Sequence, residues 1–225
     1  MTTTAATTAA PTPAALAWRA DPYTDAIRSG RGPLFLHRHD GWLLPLEVER
    51  WCAAPDAADL TVLRRCRGAV LDIGCGPGRL VVALAALGTA ALGVDVSPEA
   101  VRRTQRSGGS ALCRSVFDPL PGEGRWQTAL LLDGNVGIGG DPVALLARAA
   151  QLVDDTGQLI VEAAPFDVDE SVEVRVADGR GAFGSGFPWS RLGTAALLRY
   201  AHATGWYAAQ RWTSSGRPFV ALRRR

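Results

Sequence analysis

From residue 69 onward, short apolar runs suited to strands alternate with longer runs suited to helices, and this alternation constrains the fold more than any other feature. The five strand candidates are residues 69–73, 90–94, 111–117, 127–132 and 158–163. The pairs Ser97-Pro98 and Asp141-Pro142 each place a capping side chain directly before a proline, which is typical of a helix start. Strands that alternate with helices form right-handed βαβ units, so the sequence predicts a parallel sheet.

The end of the chain follows a different pattern. After a helix-like stretch at residues 191–204, the runs WYAAQRW and PFVALRR flank a short turn at residues 213–217. Two strands joined so tightly are antiparallel. The sequence therefore predicts an α/β fold, a Rossmann-like three-layer sandwich whose seven-stranded, mostly parallel sheet ends in an antiparallel hairpin.

Three segments are expected along the chain. Residues 1–18 are dominated by Thr, Ala and Pro, a composition typical of a disordered tail. Residues 19–66 form an accessory or lid segment, and the α/β domain covers residues 67–225.

A β-hairpin is expected inside the accessory segment, because Asp40-Gly41 is a favoured two-residue hairpin turn. Such a turn would set three residue pairs on one face of the ribbon. The predicted pairs are His39 with Trp42, His37 with Leu44, and Phe35 with Leu46.

Charge balance and cysteine pattern argue against several classes of protein. Lys plus Arg number 24 and Asp plus Glu 22, a net charge of +2 that is too balanced for a dedicated nucleic-acid binder. The longest uncharged apolar stretch, residues 80–94, is shorter than the roughly 20 residues that a membrane-spanning helix needs. The first 18 residues lack the basic start of a signal peptide, and the 4 cysteines form no CxxC pair. We therefore expect a cytoplasmic protein that binds neither nucleic acid nor membrane.

The turn after the first strand of the alternating region, VLDIGCGPG at residues 70–78, carries the most chemical information. Its glycines are spaced GxGxG, whereas the dinucleotide fingerprint GxGxxG would need glycine where Arg79 stands. Asp72, two residues before the first glycine, would repel a pyrophosphate but suits a protonated amine. Asp95 follows Gly74 by 21 residues, the position from which an acid receives both ribose hydroxyls. These features favour a nucleoside with a ribose diol, a cationic tail and no phosphate.

The motifs DIGCGPG and GVDVSPEAV resemble those of the class I S-adenosylmethionine-dependent methyltransferases, over roughly residues 65 to 165. The resemblance implies S-adenosylmethionine as the cofactor and S-adenosylhomocysteine as its product. The residues that it implies for cofactor binding are Asp72, Gly74, Cys75, Gly76, Gly78, Asp95, Val96, Phe117, Asp118 and Asp133.

The resemblance also implies a role for each part of this set. The three glycines would line the methionine and ribose side, with Asp72 serving the methionine amine and Asp95 the ribose. Phe117-Asp118 would flank the adenine, and Asp133 would sit beside the sulfonium. The alternative is that the acids only terminate strands or cap helices, and three of them at successive strand ends argue against it.

The acceptor of the methyl group is predicted to be a small molecule. The fourth strand ends in LLLDGN rather than in the pattern of enzymes that methylate amino groups of DNA or protein, and no Pro-Cys pair suggests the covalent route to cytosine. Residues 133–140 form a glycine-rich loop where ligands of parallel sheets bind, or a plain flexible connector. Phe183, Phe187 and Trp189 resemble an apolar wall for a substrate and could equally anchor the core.

His37 and His39 are the candidate general bases, because the segment before the sheet folds over the active site in many members of the family. They could equally lie on an exposed hairpin, and a metal site there would lack further ligands. We therefore expect a methyltransferase for a metabolite or natural product. The alternatives are a non-catalytic binding protein for the same cofactor, an NAD(P)-dependent oxidoreductase, and an enzyme that uses the cofactor for other chemistry.

Overall fold

The computed structural model describes residues 16, 18–19 and 21–225 of the chain. The predicted N-terminal tail therefore lies outside the described residues, apart from Leu16 and Trp18. Side chains at positions 21 and 182–184 are also outside the description.

The described part of the chain contains eleven β-strands and seven α-helices. The strands are β1 Leu34–Arg38, β2 Leu43–Pro45, β3 Val70–Ile73, β4 Ala91–Asp95, β5 Ala111–Cys113, β6 Trp126–Leu131, β7 Val153–Glu162, β8 Asp169–Asp178, β9 Gly181–Leu192, β10 Trp206–Ser214 and β11 Arg217–Arg224. The helices are α1 Asp21–Ser29, α2 Val48–Cys52, α3 Ala57–Leu63, α4 Arg79–Ala86, α5 Pro98–Arg106, α6 Pro142–Leu152 and α7 Thr194–Ala203. A 3₁₀ segment covers Asn135–Gly140. None of the described helices is long and apolar enough to cross a membrane.

Seven strands form the central sheet in the order β10-β11-β7-β6-β3-β4-β5. The strands from β3 to β7 pair in parallel, and β11 pairs antiparallel with both β7 and β10. This arrangement confirms the predicted seven-stranded, mostly parallel sheet with its terminal antiparallel hairpin.

Helices cover both faces of this sheet because its strands are apolar on both sides. On one face, α6 and α7 contribute Leu145, Leu146 and Leu197 to a core that also contains the fully buried Trp206. On the other face, α3 and α4 pack through Val62 and other apolar side chains. The indole N–H of Trp206 donates to the Leu146 carbonyl at 3.1 Å, so this buried donor is satisfied. The result is the predicted three-layer sandwich.

The third strand of the parallel set is shorter than predicted. It ends at Cys113 rather than at Phe117, because Ser115 closes a turn. The N–H of Phe117 donates to the Ser115 hydroxyl, and the N–H of Asp118 donates to the Ser115 carbonyl. Both residues therefore lie in a loop beyond the strand.

A second, four-stranded antiparallel sheet has the order β2-β1-β8-β9. Its inner face, with Leu36, Val174 and Phe187, packs against Ile27 of α1. The accessory hairpin is thus joined to residues 169–192 of the predicted α/β domain through the pairing of β1 with β8.

The predicted register of the accessory hairpin is wrong by one residue. The observed pairs are Phe35 with Pro45, Leu36 with Leu44, and His37 with Leu43. The loop has three residues, because the N–H of Arg38 donates to the Trp42 carbonyl at 2.9 Å. Asp40 stabilises this wider loop by accepting hydrogen bonds from the Arg38 guanidinium and from the Trp42 N–H. His39 therefore lies in the turn and faces no strand partner.

Candidate active site

A cleft of about 630 Å³ opens at the carboxyl ends of β3, β4, β5 and β6, between the central sheet and the accessory elements. Its size is within the range of small-molecule sites. The loop after β3, the ends of β4 and β5, and the loop after β6 form one side, while α1, α2 and β9 form the other. This is the edge of the sheet at which the sequence predicts ligand binding.

The glycine turn lines the cleft through Gly74 and Gly76. Gly74 has a φ of +72°, and a Cβ there would lie 2.7 Å from Nδ2 of Asn135. That amide donates to the carbonyls of Ile73 at 3.0 Å and Gly74 at 2.8 Å, which pins the turn to the loop after β6. Gly76 has a φ of +53°, and the Tyr23 hydroxyl lies 4.0 Å from its Cβ position. The turn thus presents bare backbone to the cleft.

Gly78, which the resemblance places in the cofactor site, does not line the cleft. It caps α4 with a φ of +82°, and a Cβ there would lie 2.3 Å from Oγ1 of Thr104 on α5. This glycine is needed for the packing of two helices rather than for approach to a ligand. Cys75 lines the cleft, but its buried thiol points toward Gly93.

Asp95 ends β4 in the wall of the cleft and is bound to the glycine turn. Its two carboxylate oxygens accept one backbone N–H each, from Gly76 and from Ser97, both at 2.8 Å. Burial raises the pKa of this carboxyl, while the backbone N–H groups act to lower it. Each oxygen keeps lone pairs for a further hydrogen bond. Val96 follows in the cleft, and its carbonyl accepts a hydrogen bond from the Arg19 guanidinium at 2.9 Å.

Asp72 lies beneath the turn and is not among the residues that line the cleft. Its side chain is buried, and burial raises the pKa of its carboxyl to about 7. The nearby guanidinium of Arg79 lowers this pKa, whereas the carboxylates of Asp133 and Asp95 raise it further. Asp72 is therefore a half-ionised group close to neutral pH.

Phe117 and Asp118 line the far end of the cleft and are both exposed. Their loop is held by Arg148 of α6, whose guanidinium donates to the carbonyls of Val116 at 2.9 Å and Asp118 at 2.8 Å. The Phe117 ring lies 3.0 Å from the Cβ position of Gly139, so the glycine-rich loop leaves room for it. Arg148 belongs to no sequence motif, so its role in holding this loop could not be predicted from the sequence.

Asp133 lines the cleft, but its charge is already neutralised. Its carboxylate accepts hydrogen bonds from Arg79 and Arg50, each at 2.7 Å, and from Arg217 at 3.3 Å. Burial acts to raise the pKa of this carboxyl, and the arginines hold it below its ordinary value. The negative charge of Asp133 is therefore already paired within the protein.

The network around Asp133 is the main feature that sequence reasoning missed. Arg79, where the dinucleotide fingerprint would have glycine, also pairs with Asp59 at 2.8 Å, and both side chains are buried. Burial acts to raise the pKa of Asp59, but Arg79 and Arg217 lower it to about 2. Arg217 extends the network to Glu162 at 2.7 Å. The network joins the accessory helix α2, through Arg50, to the base of the cleft.

Aromatic side chains form the side of the cleft opposite the glycine turn. The ring of Trp18 lies 4.9 Å from that of Tyr23, 5.4 Å from that of Phe187 and 5.8 Å from that of Trp189. Phe187 and Trp189 line the cleft and also belong to a buried core cluster, so both predicted roles, apolar wall and core anchor, stay open. The side chain of Phe183 lies outside the described residues. Gly137 and Gly140 allow the loop after β6 to press against β9 next to this wall.

His37 and His39, the candidate bases, are not among the residues that line the cleft. His37 pairs with the exposed Arg175 on the face of β1 opposite to the buried Leu34 and Leu36. His39 is exposed in the hairpin turn. The structure therefore separates both histidines from the other predicted site residues.

A seven-stranded sheet of this order, with a glycine turn after its first central strand and an acid at the end of the next, defines the class I methyltransferase fold. Residues 70–157 match the family model described as a methyltransferase domain. This match and the fold are consistent with a class I S-adenosylmethionine-dependent methyltransferase. A comparison with curated protein sequences finds no significant match.

Solved structures of methyltransferases resemble the whole described fold. A Bacteroides fragilis S-adenosylmethionine-dependent methyltransferase in complex with S-adenosylhomocysteine has a TM-score of 0.73 and 19% identity, covering 94% of this chain and 93% of its own. The Burkholderia thailandensis 1,6-didemethyltoxoflavin-N1-methyltransferase has a TM-score of 0.62 and 20% identity, covering 98% and 92%. The Streptomyces caelestis CcbJ methyltransferase has a TM-score of 0.57 and 16% identity, covering 77% and 92%. At these identities the likeness establishes a shared fold.

Proposed function

We propose that this protein is an S-adenosylmethionine-dependent methyltransferase that acts on a small-molecule acceptor. The observation that carries the proposal is the hydrogen bond between the Asp95 carboxylate and the glycine turn. The Gly76 N–H holds the Asp95 carboxylate at the wall of the cleft, and the only neighbour among the described residues that a Cβ at this glycine would meet is the Tyr23 hydroxyl, at 4.0 Å. The arrangement suits a ribose diol that lies on the backbone of the turn. The match of residues 70–157 to a methyltransferase family model supports the same function.

The residues fit the cofactor along the length of the cleft. Asp95 would accept the ribose hydroxyls through its remaining lone pairs, and the backbone from Gly74 to Gly76, including Cys75, would lie along the methionine and ribose. Val96 and Phe117 would flank the adenine, with Asp118 near its exposed amine. Asp72 would neutralise the methionine ammonium from beneath the turn, through water or by a small shift of the turn.

Asp133 takes a different part in this proposal. Because three guanidinium groups already surround its carboxylate, it shapes the base of the cleft and holds Arg79 and Arg50 in place. A charged group that is fully paired contributes little net field at the sulfur. Its role is therefore positional.

When bound, the cofactor supplies a methyl group that is already activated by a positive sulfur. The protein has to place the acceptor in line with the sulfur–carbon bond and to exclude water, which can account for a large part of the rate. The aromatic side chains opposite the turn would exclude water, and the 630 Å³ cleft leaves room for a second small molecule beside the nucleoside. We assign no histidine as a base.

A small acceptor and a cytoplasmic location agree with other features of the chain. The net charge is +2, and all four cysteines, Cys52, Cys66, Cys75 and Cys113, are free thiols, as expected in a reducing compartment. The Burkholderia thailandensis structure with the same fold holds a bound heterocycle, 1,6-didemethyltoxoflavin, together with S-adenosylhomocysteine.

The test is a labelled-methyl assay of the purified chain with metabolite extract, next to calorimetric titrations with S-adenosylhomocysteine and with NAD. We expect a labelled small-molecule product, binding of S-adenosylhomocysteine and no binding of NAD. Asp95→Ala should abolish most of this binding, whereas Asp155→Ala, which removes an exposed acid far from the cleft, should retain it. Binding of the cofactor without any labelled product would favour a regulatory protein, and tight binding of NAD would favour an oxidoreductase.

A further inference from the structure

The side of the cleft formed by the accessory elements and β9 is rich in aromatic rings. Trp18, Tyr23, Phe187 and Trp189 form one contiguous cluster, in which Phe187 and Trp189 meet edge to face at 6.3 Å between centroids. Tyr23, Phe187 and Trp189 are buried, whereas Trp18 is half-buried and lies at the mouth. We call these four residues the aromatic wall. Tyr23, Phe187 and Trp189 are 4%, 1% and 8% exposed, so a flat ligand would stack chiefly on Trp18, which the other three rings hold in place.

The described residues that line the cleft offer few groups that could serve as a general base beside the aromatic wall. Among the described residues that line the cleft, the carboxylates are Asp95, Asp118 and Asp133. Asp95 is held by two backbone N–H groups, and Asp133 is paired with three arginines. Asp118 is exposed, in the loop that Arg148 holds. Tyr23 in the wall itself keeps its proton, because burial and then the Asp95 carboxylate raise the pKa of its phenol. The described part of the cleft therefore suits an acceptor that attacks without first losing a proton to the protein.

An acceptor that needs no base carries a lone pair at neutral pH, as a pyridine-type ring nitrogen does. Its attack forms a nitrogen–carbon bond while the sulfur–carbon bond breaks and the electron pair stays on sulfur. No proton is released, and the positive charge moves from the sulfur to the methylated ring. Tryptophan and tyrosine faces attract such a cation. The aromatic wall would thus favour the product-like charge as well as the flat shape of the acceptor.

Resting on the proposed function, we infer that the acceptor is a planar, uncharged, nitrogen-containing aromatic heterocycle that is methylated on a ring nitrogen. This inference names the substrate class, and the aromatic wall is its specificity-determining surface. A phenol, an alcohol or a saturated amine would be a poor acceptor. The first two need a base, and the third is protonated at neutral pH and lacks a flat face.

The first test uses isoquinoline as the probe, with decahydroisoquinoline and 2-naphthol as matched probes that lack the aromatic ring nitrogen. Binding is measured by calorimetry in the presence of saturating S-adenosylhomocysteine, and turnover is followed by mass spectrometry with S-adenosylmethionine. We expect isoquinoline to bind about tenfold more tightly than decahydroisoquinoline, as expected for ring stacking. We also expect N-methylisoquinolinium as a product and no methylated naphthol.

The second test uses variants of the aromatic wall. Trp189→Leu and the less buried Trp18→Leu should each weaken isoquinoline binding by about three- to tenfold, while S-adenosylhomocysteine still binds. Trp126→Leu is the control, because Trp126 begins β6 at the opposite end of the sheet from the cleft, and its affinity for isoquinoline should match that of the wild type. If Trp189→Leu does not fold, isoquinoline binding by Trp18→Leu alone decides the test.

The outcomes separate this inference from the proposed function. If S-adenosylhomocysteine itself does not bind, the proposed function fails. If it binds but decahydroisoquinoline matches isoquinoline, or 2-naphthol is methylated and isoquinoline is not, the acceptor class is wrong and the methyltransferase proposal stands. Equal loss of isoquinoline binding in Trp126→Leu and Trp18→Leu would likewise overturn the role of the aromatic wall.

Discussion

Asp72 should make the binding of the cofactor depend on pH. Burial raises the pKa of its carboxyl to about 7 in the free protein. An ammonium group placed next to it favours the carboxylate, so the bound cofactor should lower this pKa. Below pH 7 the proton must leave before the ammonium is paired, and affinity should therefore fall as the pH falls.

The size of the effect follows from the pKa. With a pKa of about 7, the carboxyl is mostly ionised at pH 8 and mostly protonated at pH 6. The affinity for S-adenosylhomocysteine should therefore drop by about tenfold between these two values, or about 1.4 kcal/mol. At pH 7 the complex should release about half a proton to the buffer, as linkage requires.

The assay is isothermal titration with S-adenosylhomocysteine at pH 6, 7 and 8, in two buffers of different ionisation enthalpy. Asp72→Asn, which keeps the shape of the side chain but cannot ionise, is the matched variant. We expect it to bind more weakly than the wild type at pH 8 and with no change in affinity between pH 6 and 8. A wild-type affinity that is flat over this range, with no proton release, would refute the pairing of Asp72 with the ammonium.

The same carboxyl should lower the stability of the cofactor-free protein at high pH. In the unfolded chain it ionises near its ordinary pKa of 3.8, whereas the folded protein holds the proton up to about 7. Stability is therefore lost as the pH rises from about 4 to 7, and the full cost, at most about 4 kcal/mol, is present above pH 7. Asp72→Asn should consequently raise the free energy of unfolding at pH 8 and leave it unchanged at pH 3, as denaturant titrations can show.

Four further predictions follow from the contacts around the cleft. Asp95→Ala should weaken S-adenosylhomocysteine binding by about 1–3 kcal/mol in calorimetry, since it removes a buried charged acceptor, and unchanged affinity would contradict the ribose assignment. Gly78→Ala should destabilise the fold by more than about 1 kcal/mol in thermal melts, because the added Cβ would meet Thr104. Gly76→Ala should mainly reduce cofactor binding, and the reverse pattern would contradict the roles assigned to the two glycines. Arg79→Ala should cost up to about 3–5 kcal/mol of folding free energy, because the buried Asp59 would keep only Arg217 as an ionic partner; a loss below about 1 kcal/mol would show that the network relaxes. His37→Ala should change turnover by less than about twofold, the scale of a surface substitution, and a tenfold loss would place the hairpin at the active site.

Much of the central sheet could be predicted because its signals are local. The alternation of apolar runs with capped helices and the tight turn before β11 are visible within short windows of sequence. The glycine turn and Asp95 are likewise local signals, since the turn needs glycines at fixed spacing and the acid ends the next strand. The structure brings Gly74, Gly76 and Asp95 together as the motif predicts.

Strands β8 and β9 of the second sheet were missed for a different reason. In β8 the residues Val172, Val174 and Val176 alternate with charged side chains, a period-two signal that could have identified the strand. In β9 that signal is broken by Gly184, Gly186 and Pro188, residues that ordinarily mark loops. The hairpin register failed because Asp40 bonds to Arg38 and widens a turn that its sequence favours as a tighter one.

The ion network could not be predicted because no local pattern connects its members. Arg50 and Asp133 are 83 positions apart, and Arg217 and Asp133 are 84 positions apart. Only the fold brings these side chains to one edge of the sheet. Because these charges pair with Asp133, its proposed role is to hold Arg79 and Arg50 in place, and no motif that contains Asp133 alone can reveal that role.

The most direct test of the account is a crystal structure of the full chain with S-adenosylhomocysteine. In that structure we expect both ribose hydroxyls to lie within about 2.5–3.0 Å of the Asp95 carboxylate oxygens, and the nucleoside to lie along the backbone of Gly76. A ligand whose sugar lies elsewhere in the cleft, or an Asp95 carboxylate that contacts no hydroxyl, would contradict the account.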